Sequence, residues 1–406
     1  MKSPMKRYLI LFLLCSFLPA AAQNRLTLVD ENELPSLVER LMDKRDSVNN
    51  DGYKVRKITT HINLEFAGSA NAYFTGSRFD EFSFKMNRVR LEVYGRLHDK
   101  LSYHFRQSFN KYSNPYSLDN MSSSIEYANI KWHTGDGFDL VIGKQYIAVA
   151  GYEGYVNGLR VREFSDFNNN FEIYQTGVKG VVKFTPDQLL SIQLTNNRNS
   201  ADDEIYIYIY GLPSGMEPSR FPVLGTVNWT GWFADKTVNL MYSASAGQLA
   251  KGKNIYYLMC GNIYEKGPVL AYLDVLYCRS AIDAQQRVTV LQTQAPVTAQ
   301  NTQYLTFIAN VDYQFHPKWN AYLKGVYETA GVYESNGIFA AGRYLTSWNA
   351  QACVEWFPFT EDKGFKVFAH YVYKGHELSD NAKTLGASMP HSQRVSLGVQ
   401  YIIPVL

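Results

Sequence analysis

Alternation between apolar and charged side chains over residues 88–108 constrains the fold of this chain more than any other feature of its sequence. Val89 and Leu91 alternate with Arg88 and Arg90, and the pattern resumes after a short polar interruption. Successive side chains of an extended strand point to opposite faces, so this spacing predicts strands with one apolar and one charged face. Two such strands joined by a short polar segment are typical of an antiparallel hairpin.

Seven short polar segments separate similar alternating stretches, and each is typical of a tight turn. Longer connections rich in Asn, Ser, Gly and Tyr lie between them, so we expect short and long connections to alternate strictly. With an opening strand at residues 58–67 and a closing strand at 392–403, the seven hairpins predict sixteen strands. The predicted tight turns are residues 98–100, 134–137, 185–188, 234–236, 265–267, 316–318 and 360–364, and the predicted long connections are residues 68–82, 110–123, 147–176, 199–221, 249–253, 279–302, 330–345 and 375–391.

An even strand number with both chain ends on the tight-turn side is typical of bacterial outer-membrane barrels, which have short periplasmic turns and long external loops. Aromatic residues make up 15% of the chain, and such rings collect where an apolar band meets water. A Tyr-rich soluble β protein is the alternative for this composition. The sequence therefore predicts an all-β, transmembrane, antiparallel barrel of sixteen strands with long external loops.

A barrel of sixteen strands is wide enough for an aqueous channel, and its inward faces are expected to be polar and mixed in charge. Burying so many ionisable groups in a dry core would be too costly, which favours a water-filled lumen. The residues predicted to face the lumen are Arg88, Arg90, Glu92, Arg96, His104, Arg106, Asn129, Lys131, Lys179, Lys183, Gln193, Asp312, Lys324, Glu328, Lys366, Lys374 and Arg394.

The first residues are typical of an export signal. Lys2, Lys6 and Arg7 precede an apolar run, and three alanines end at residue 22, which predicts a signal peptide over residues 1–22. Cys15 follows leucine instead of the small residue that lipid attachment expects, so we favour ordinary cleavage. Removing the three basic residues from 40 leaves 37, equal to the 37 acidic residues, and this balance argues against nucleic-acid binding.

Residues 23–56 are expected to form a periplasmic N-terminal segment, and residues 57–406 the barrel. The segment carries an apolar stripe at helical spacing, from Leu34 to Met42, which predicts a short helix. A coiled coil that joins subunits and a simple helical or flexible spacer both remain open, because two heptads are fewer than a coiled coil usually needs.

The stretches FKMNRVRLEVYGRLHDKLSYHFRQSFN (residues 84–110) and VIGKQYIAVAGYEGY (141–155) resemble the opening of the phosphate-selective porins of the O and P type, most closely over residues 58–200. The resemblance implies a sixteen-stranded outer-membrane porin that forms a homotrimer. It also implies that the third loop enters the pore and that a basic lumen guides anions. The chain departs from the usual pattern in two ways. Its mature net charge is zero, and it ends at Leu406 without the terminal aromatic residue that usually serves barrel assembly, a role that Tyr401 could take.

Six arginines match the basic pattern of that family, and we expect them to guide small anions. Neighbouring arginines two residues apart on a strand lie ~6 to 7 Å apart on one face, and their planar donor forks suit phosphate. The alternative is that they pair with Glu92, Glu153, Glu163 and Asp166 and shape the field of a general porin. The predicted anion-guiding residues are Arg88, Arg90, Arg96 and Arg106 on strands and Arg160 and Arg162 in the third connection.

Other functional classes have weaker support in the sequence. Cys260, Cys278 and Cys353 lack metal-ligand spacing and are expected to be unpaired, and neither a metal nor a cofactor is predicted. A barrel hydrolase or lipid-modifying enzyme, and a barrel that anchors glycan-binding loops, remain as alternatives. The favoured function is passive diffusion of small hydrophilic solutes across the bacterial outer membrane, in contact with membrane lipid, with a weak anion preference.

Overall fold

The computed structural model describes residues 59–98, 100–111, 118–135, 137–155, 160–197, 212–293, 297–359 and 364–405. They form a closed antiparallel barrel in which every strand pairs with its sequence neighbours and β1 pairs with β16. The strands are β1 Thr59–Thr75, β2 Arg78–His98, β3 Leu101–Ser108, β4 Ile125–Gly135, β5 Phe138–Tyr146, β6 Tyr174–Thr185, β7 Gln188–Asn196, β8 Val223–Phe233, β9 Val238–Ala250, β10 Lys253–Lys266, β11 Val269–Ile282, β12 Gln300–His316, β13 Trp319–Val332, β14 Gly342–Trp356, β15 Phe365–Leu378 and β16 Ser392–Pro404.

All seven predicted tight turns join consecutive strands, and the predicted sixteen-stranded barrel is confirmed. The strict alternation of short and long connections is wrong at two places. Residues 68–82 and 249–253 form tight hairpins, with Gly76 and Gly252 at positive φ, as two-residue turns require. The signal peptide, the N-terminal helix and the IYIYIY run at residues 205–210 lie outside the described residues.

A bulge in β2 explains why the first hairpin differs from the sequence-based prediction. Ala67 pairs with Arg88 and Gly68 pairs with Met86, so Asn87 is an extra residue on β2. A one-residue slip moves every following side chain to the other face of the sheet. Phe84 and its even-numbered neighbours therefore point outward and are exposed, whereas beyond the bulge the even-numbered residues from Arg88 onward point inward. Polar residues of β1 that resembled a loop face the lumen.

The outer face carries a belt of exposed aromatic side chains at the tight-turn end. Each of these residues lies beside a tight turn or within four residues of one. Aromatic rings collect at membrane boundaries, so this rim marks one edge of the apolar band. In the part of the chain that the structure describes, no helix is long and apolar enough to cross a membrane. The belt consists of Trp132, Phe138, Phe184, Phe233, Tyr264, Phe315, Trp319 and Trp356.

The inner face differs between opposite sides of the barrel. The inner faces of β10 and β11, here called the apolar wall, carry a buried core that includes Ile255, Met259 and Leu276. The inner faces of β1 to β4 and β16, here called the polar wall, carry buried ionisable and polar groups such as Glu65 and Arg90. The prediction of a polar, mixed-charge interior is therefore correct for only part of the wall. Along the apolar wall, inward loops replace water.

Candidate pore and its basic lining

The loop between β5 and β6, here called L3, folds into the barrel and contains two short helices, α1 Gly151–Tyr155 and α2 Asp166–Asn169. Its first part packs on the apolar wall. The Asp274 carboxylate of β11 accepts a hydrogen bond of 2.8 Å from the Glu153 backbone N–H. Gly151 has φ +66°, and a Cβ there would lie 2.5 Å from Asp274 Cγ. Only glycine therefore allows this close approach of L3 to the wall.

A buried ion pair between Glu153 and Lys324 of β13 lies at the centre of L3. The Glu153 carboxylate also accepts hydrogen bonds from the backbone N–H of Ser165 at 3.0 Å, from its hydroxyl at 2.5 Å, and from Asn168 Nδ2 at 2.6 Å. A buried ion pair offsets its desolvation cost only when such additional donors are present. Glu153 therefore ties the two helical parts of L3 to each other and to β13.

The far part of L3 is held by β13 and β14. The Glu328 carboxylate accepts hydrogen bonds from the backbone N–H groups of Asp166 at 2.9 Å and Phe167 at 3.0 Å, at the start of α2. Lys324 Nζ and Gln351 Nε2 both donate to the Glu163 carbonyl oxygen, at 2.8 and 3.1 Å. L3 thus extends inside the barrel from β11 of the apolar wall to β13 and β14, with hydrogen bonds at both ends.

Arg90 and Arg106 are buried in an ion-pair network on the polar wall. Arg90 lies 2.5 Å from Glu65 and 3.4 Å from Glu126, and Arg106 lies 2.8 Å from Glu126. The Arg106 guanidinium also lies 4.4 Å from the centre of the Tyr127 ring. Two predicted anion-guiding arginines are therefore largely neutralised by acidic partners, and Glu65 and Glu126 were not among the partners expected from the sequence.

Arg162 reaches from L3 to the wall at β14 and β15. Its Nη2 lies 2.7 Å from Glu355 Oε1, and its guanidinium lies 4.0 Å from the centre of the Phe368 ring. Burial disfavours the charged form, but the Glu355 carboxylate outweighs that effect and raises the pKa of Arg162. Arg160 is half-buried, and Arg96 is exposed near the tight-turn end of β2.

A cavity of about 220 Å³ separates L3 from the wall formed by β1, β2, β15 and β16. Arg88, Arg162 and Arg394 line it together with His370, and none of the described residues that line it is acidic. Ser396 and Gln400 contribute further polar groups. This cavity is here called the basic passage. It brings together Arg88 and Arg162, which were predicted to guide anions, and Arg394, which was predicted only to face the lumen.

A second cavity, of about 270 Å³, continues the basic passage toward the loop ends of β1 and β16. Arg394 lines both cavities, and its Nη2 lies 2.9 Å from Glu163 Oε2. Lys374 lies 2.5 Å from the other oxygen of Glu163. Sequence reasoning missed Arg394 and Lys374 as site residues because it relied on family-like motifs in the first half of the chain, although their inward spacing was visible.

No metal centre emerges from the residues described: they contain no group of three or more His, Cys, Asp or Glu side chains placed to hold an ion. Cys260, Cys278 and Cys353 are free, as predicted. Cys278 and Cys353 are buried, whereas Cys260 is exposed on the outer face, so only two of the three pack in the interior.

A closed sixteen-stranded barrel with an inward loop and a polar passage has the architecture of an outer-membrane diffusion porin. Solved structures with this fold include the outer-membrane channel DcaP of Acinetobacter baumannii (12% identity, 85% of this chain and 97% of that chain covered, TM-score 0.60). OmpF of Salmonella typhi, in complex with daunomycin, shares 12% identity over 86% of this chain and 98% of that chain, with a TM-score of 0.52.

The family described as phosphate-selective porin O and P matches residues 57–403, and the chain belongs to that family. No curated protein matches the sequence. Family and fold together identify a passive diffusion channel of the bacterial outer membrane for small hydrophilic solutes.

Proposed function

We propose that this porin has a weak preference for anions and that the preference arises in the basic passage. The observation that carries the proposal is the cavity between L3 and the wall, where Arg88, Arg162 and Arg394 meet without an acidic lining residue among those described. Guanidinium groups stay charged at physiological pH, so they raise the local anion concentration at every pH the cell meets. Arg90 and Arg106 contribute less, because neither lines this cavity and both are buried against carboxylates of the polar wall.

Tight phosphate selectivity is not part of this proposal. Arg394 and Lys374 both share Glu163, and Arg162 shares Glu355. An entering anion must compete with these carboxylates, so each site holds it weakly, and weak sites in series permit fast transit. We rank a weak anion preference above no preference, and both above tight phosphate binding.

We propose that the protein is a homotrimer with its tight turns on the periplasmic side. We also propose that it acts as a channel and not as an enzyme or a glycan-binding anchor. One solved neighbour, OmpT of Vibrio cholerae in its trimer form, shares 12% identity and a TM-score of 0.50, with 85% of this chain and 99% of that chain covered. Removal of residues 1–22 and a periplasmic segment over residues 23–56 complete the proposed organisation.

The test is planar-bilayer recording in a KCl gradient with wild type and Arg394→Gln. We expect the variant to lower the chloride-over-potassium permeability ratio, because one of three lining guanidinium charges is lost. The double variant Arg160→Gln/Arg162→Gln should lower it too, because Arg162 lines the same cavity. Arg343→Gln is the matched control, since Arg343 is exposed at the loop end of β14.

The outcomes separate the parts of the proposal. An unchanged reversal potential in Arg394→Gln would refute the basic passage as the source of selectivity and leave a general porin. Absence of any conductance from correctly folded wild type would instead refute the open channel, and substrate turnover or glycan binding by a closed barrel would support one of the two alternatives.

A further inference from the structure

The outer face of β8 to β11 contains a groove near the loop end of the strands. Cross-strand register aligns four outward residues in one row, Gly225, Ala246, Tyr256 and Arg279. A parallel row one layer deeper contains Val227, Ala244, Leu258 and Tyr277, and a cavity of about 980 Å³ runs along both rows. Small side chains on β8 and β9 beside large ones on β10 create this depression, here called the outer groove.

The outer groove ends at the upper boundary of the apolar band. Arg279 lies ten residues beyond Val269, the first residue of β11 at the tight-turn end. At ~3.3 Å per residue and a strand tilt of ~40°, this separation corresponds to ~25 Å along the barrel axis, which is the height of the apolar band of such barrels. The outward residues of β11 between them are apolar, so Arg279 marks the level where lipid headgroups begin.

Polar groups converge at the head of the outer groove. The Arg279 side chain is exposed, its guanidinium lies 4.0 Å from the centre of the Tyr333 ring, and it has no ion pair with the carboxylates of the described residues. Asn254 Nδ2 donates to the Tyr256 hydroxyl at 3.3 Å, so the polar end of this ring points to the same rim. Lys253 also lines the groove. A positive head above an apolar groove complements an anionic, acylated molecule.

We propose that the outer groove binds a phosphate-bearing, acylated lipid of the outer leaflet. Arg279 holds the phosphate, since a planar guanidinium donates two parallel hydrogen bonds to phosphate oxygens, and Lys253 adds a second charge. An acyl chain lies over Ala244 and Ala246 beside Tyr256. The positive charge at the groove head favours this lipid over a second copy of the chain, whose apolar outer face would leave Arg279 without a partner. The inference rests on the proposed membrane orientation but not on ion selectivity.

The test uses delipidated full-length protein in detergent, titrated with lipid A and followed by native mass spectrometry. Arg279→Gln removes the phosphate contact, and Ala246→Phe fills the groove at a position where a larger side chain meets lipid and not a packed core. Arg343→Gln is the control variant, and dephosphorylated lipid A is the control ligand. Planar-bilayer conductance of each variant shows whether the barrel remains assembled.

We expect Arg279→Gln to weaken lipid A binding about fivefold, the factor that corresponds to about 1 kcal/mol per basic residue at a membrane surface. Ala246→Phe should also weaken it, Arg343→Gln should bind as wild type does, and conductance should be unchanged in all three. Equal binding of dephosphorylated lipid A, or wild-type binding by Arg279→Gln, would overturn the proposal. So would a change in subunit number in Ala246→Phe without loss of lipid, because the face then belongs to a second copy. Lipid binding by a barrel that conducts no ions would leave this site standing and refute the channel.

Discussion

The apolar wall and the polar wall lie on opposite sides of the same barrel and have different functions. Both present apolar side chains to the membrane, but the inner face of the polar wall is rich in charged groups, whereas that of the apolar wall is mainly apolar and includes Asp274. The apolar wall receives L3, where Phe167 and Phe171 pack around Tyr257 at ring-centre distances of 6.3 and 5.2 Å. The difference shows how the lumen is narrowed. L3 packs against the apolar wall, and the basic passage remains on the other side of L3.

The largest effect is expected from releasing L3 from its buried ion pair. Glu153→Gln leaves the Lys324 charge buried without a carboxylate, and breaking a buried pair costs about 3 to 5 kcal/mol. We expect L3 to detach, so that single-channel conductance rises and proteases cleave L3. Glu217→Gln is the control, because Glu217 forms an exposed ion pair with Lys251 at 2.7 Å, away from L3.

A second substitution shows whether the buried charge is the cause. Glu153→Gln combined with Lys324→Met removes both charges and should recover part of the wild-type conductance level. If Glu153→Gln folds, as judged by heat-modifiable migration, and conducts like wild type, then the ion pair does not hold L3 in the lumen.

An intermediate effect on channel current is expected when thiol reagents test which wall meets water. A cysteine at Ser396 lies in the basic passage, whereas the native Cys278 is fully buried on the apolar wall. Ser396→Cys should be blocked by methanethiosulfonate reagents, with the anionic reagent reacting about tenfold faster than the cationic one, because a positive passage concentrates anions. Current block is the readout, and wild type, with its three native cysteines, should stay open. Block of wild type that Cys278→Ser abolishes would show that water reaches the apolar wall.

The smallest effect is expected from removing the buried carboxylate of Asp283. This residue lies in the loop between β11 and β12, which packs above the apolar wall. Asp283 accepts hydrogen bonds from the backbone N–H groups of Val288 at 2.9 Å and Thr289 at 2.6 Å, yet burial raises its pKa above the ordinary value of 3.8. A raised folded-state pKa gives stability that is complete below 3.8 and is lost as the pH rises through the folded-state value.

Asp283→Asn should therefore remove a pH dependence that wild type shows. Hydrogen exchange of Val288 and Thr289 should accelerate with rising pH more in wild type than in the variant, after correction for intrinsic exchange rates. Arg343→Gln, a change at an exposed side chain, should follow wild type. The same pH profile in Asp283→Asn would show that this carboxylate does not set the stability of the loop.

Sequence reasoning was most accurate where a local pattern decides the structure. Strand alternation and turn residues predicted sixteen strands and seven tight turns, because both depend on neighbours in the chain. It failed at residues 68–82, where Gly, Ser and Asn looked like a loop. Ser69 donates a hydrogen bond of 2.7 Å to Asn87 Oδ1 inside the barrel, so these polar residues belong to a strand whose inner face meets other polar groups.

The candidate site was predicted only in part, because its electrostatics depend on pairing between distant strands. Arg88 and Arg162 line the basic passage, whereas Arg90 is neutralised by Glu65 of β1 and Glu126 of β4. The spacing of basic residues shows which face they share, but the register of neighbouring strands decides which carboxylates meet them. Arg394 joins the site because closure of the barrel places β16 beside β1.

The sequence by itself determined that this chain forms a membrane barrel with two chemically distinct faces, since a period of two needs only the backbone geometry of a strand. Only the tertiary structure decided which inward faces meet water and which meet loop. That choice depends on the path of L3. Asp274 of β11 and Lys324 and Glu328 of β13 hold this loop, although they lie more than a hundred residues away in the chain. Such contacts leave no local period in the sequence, because each depends on a side chain that folding alone brings near.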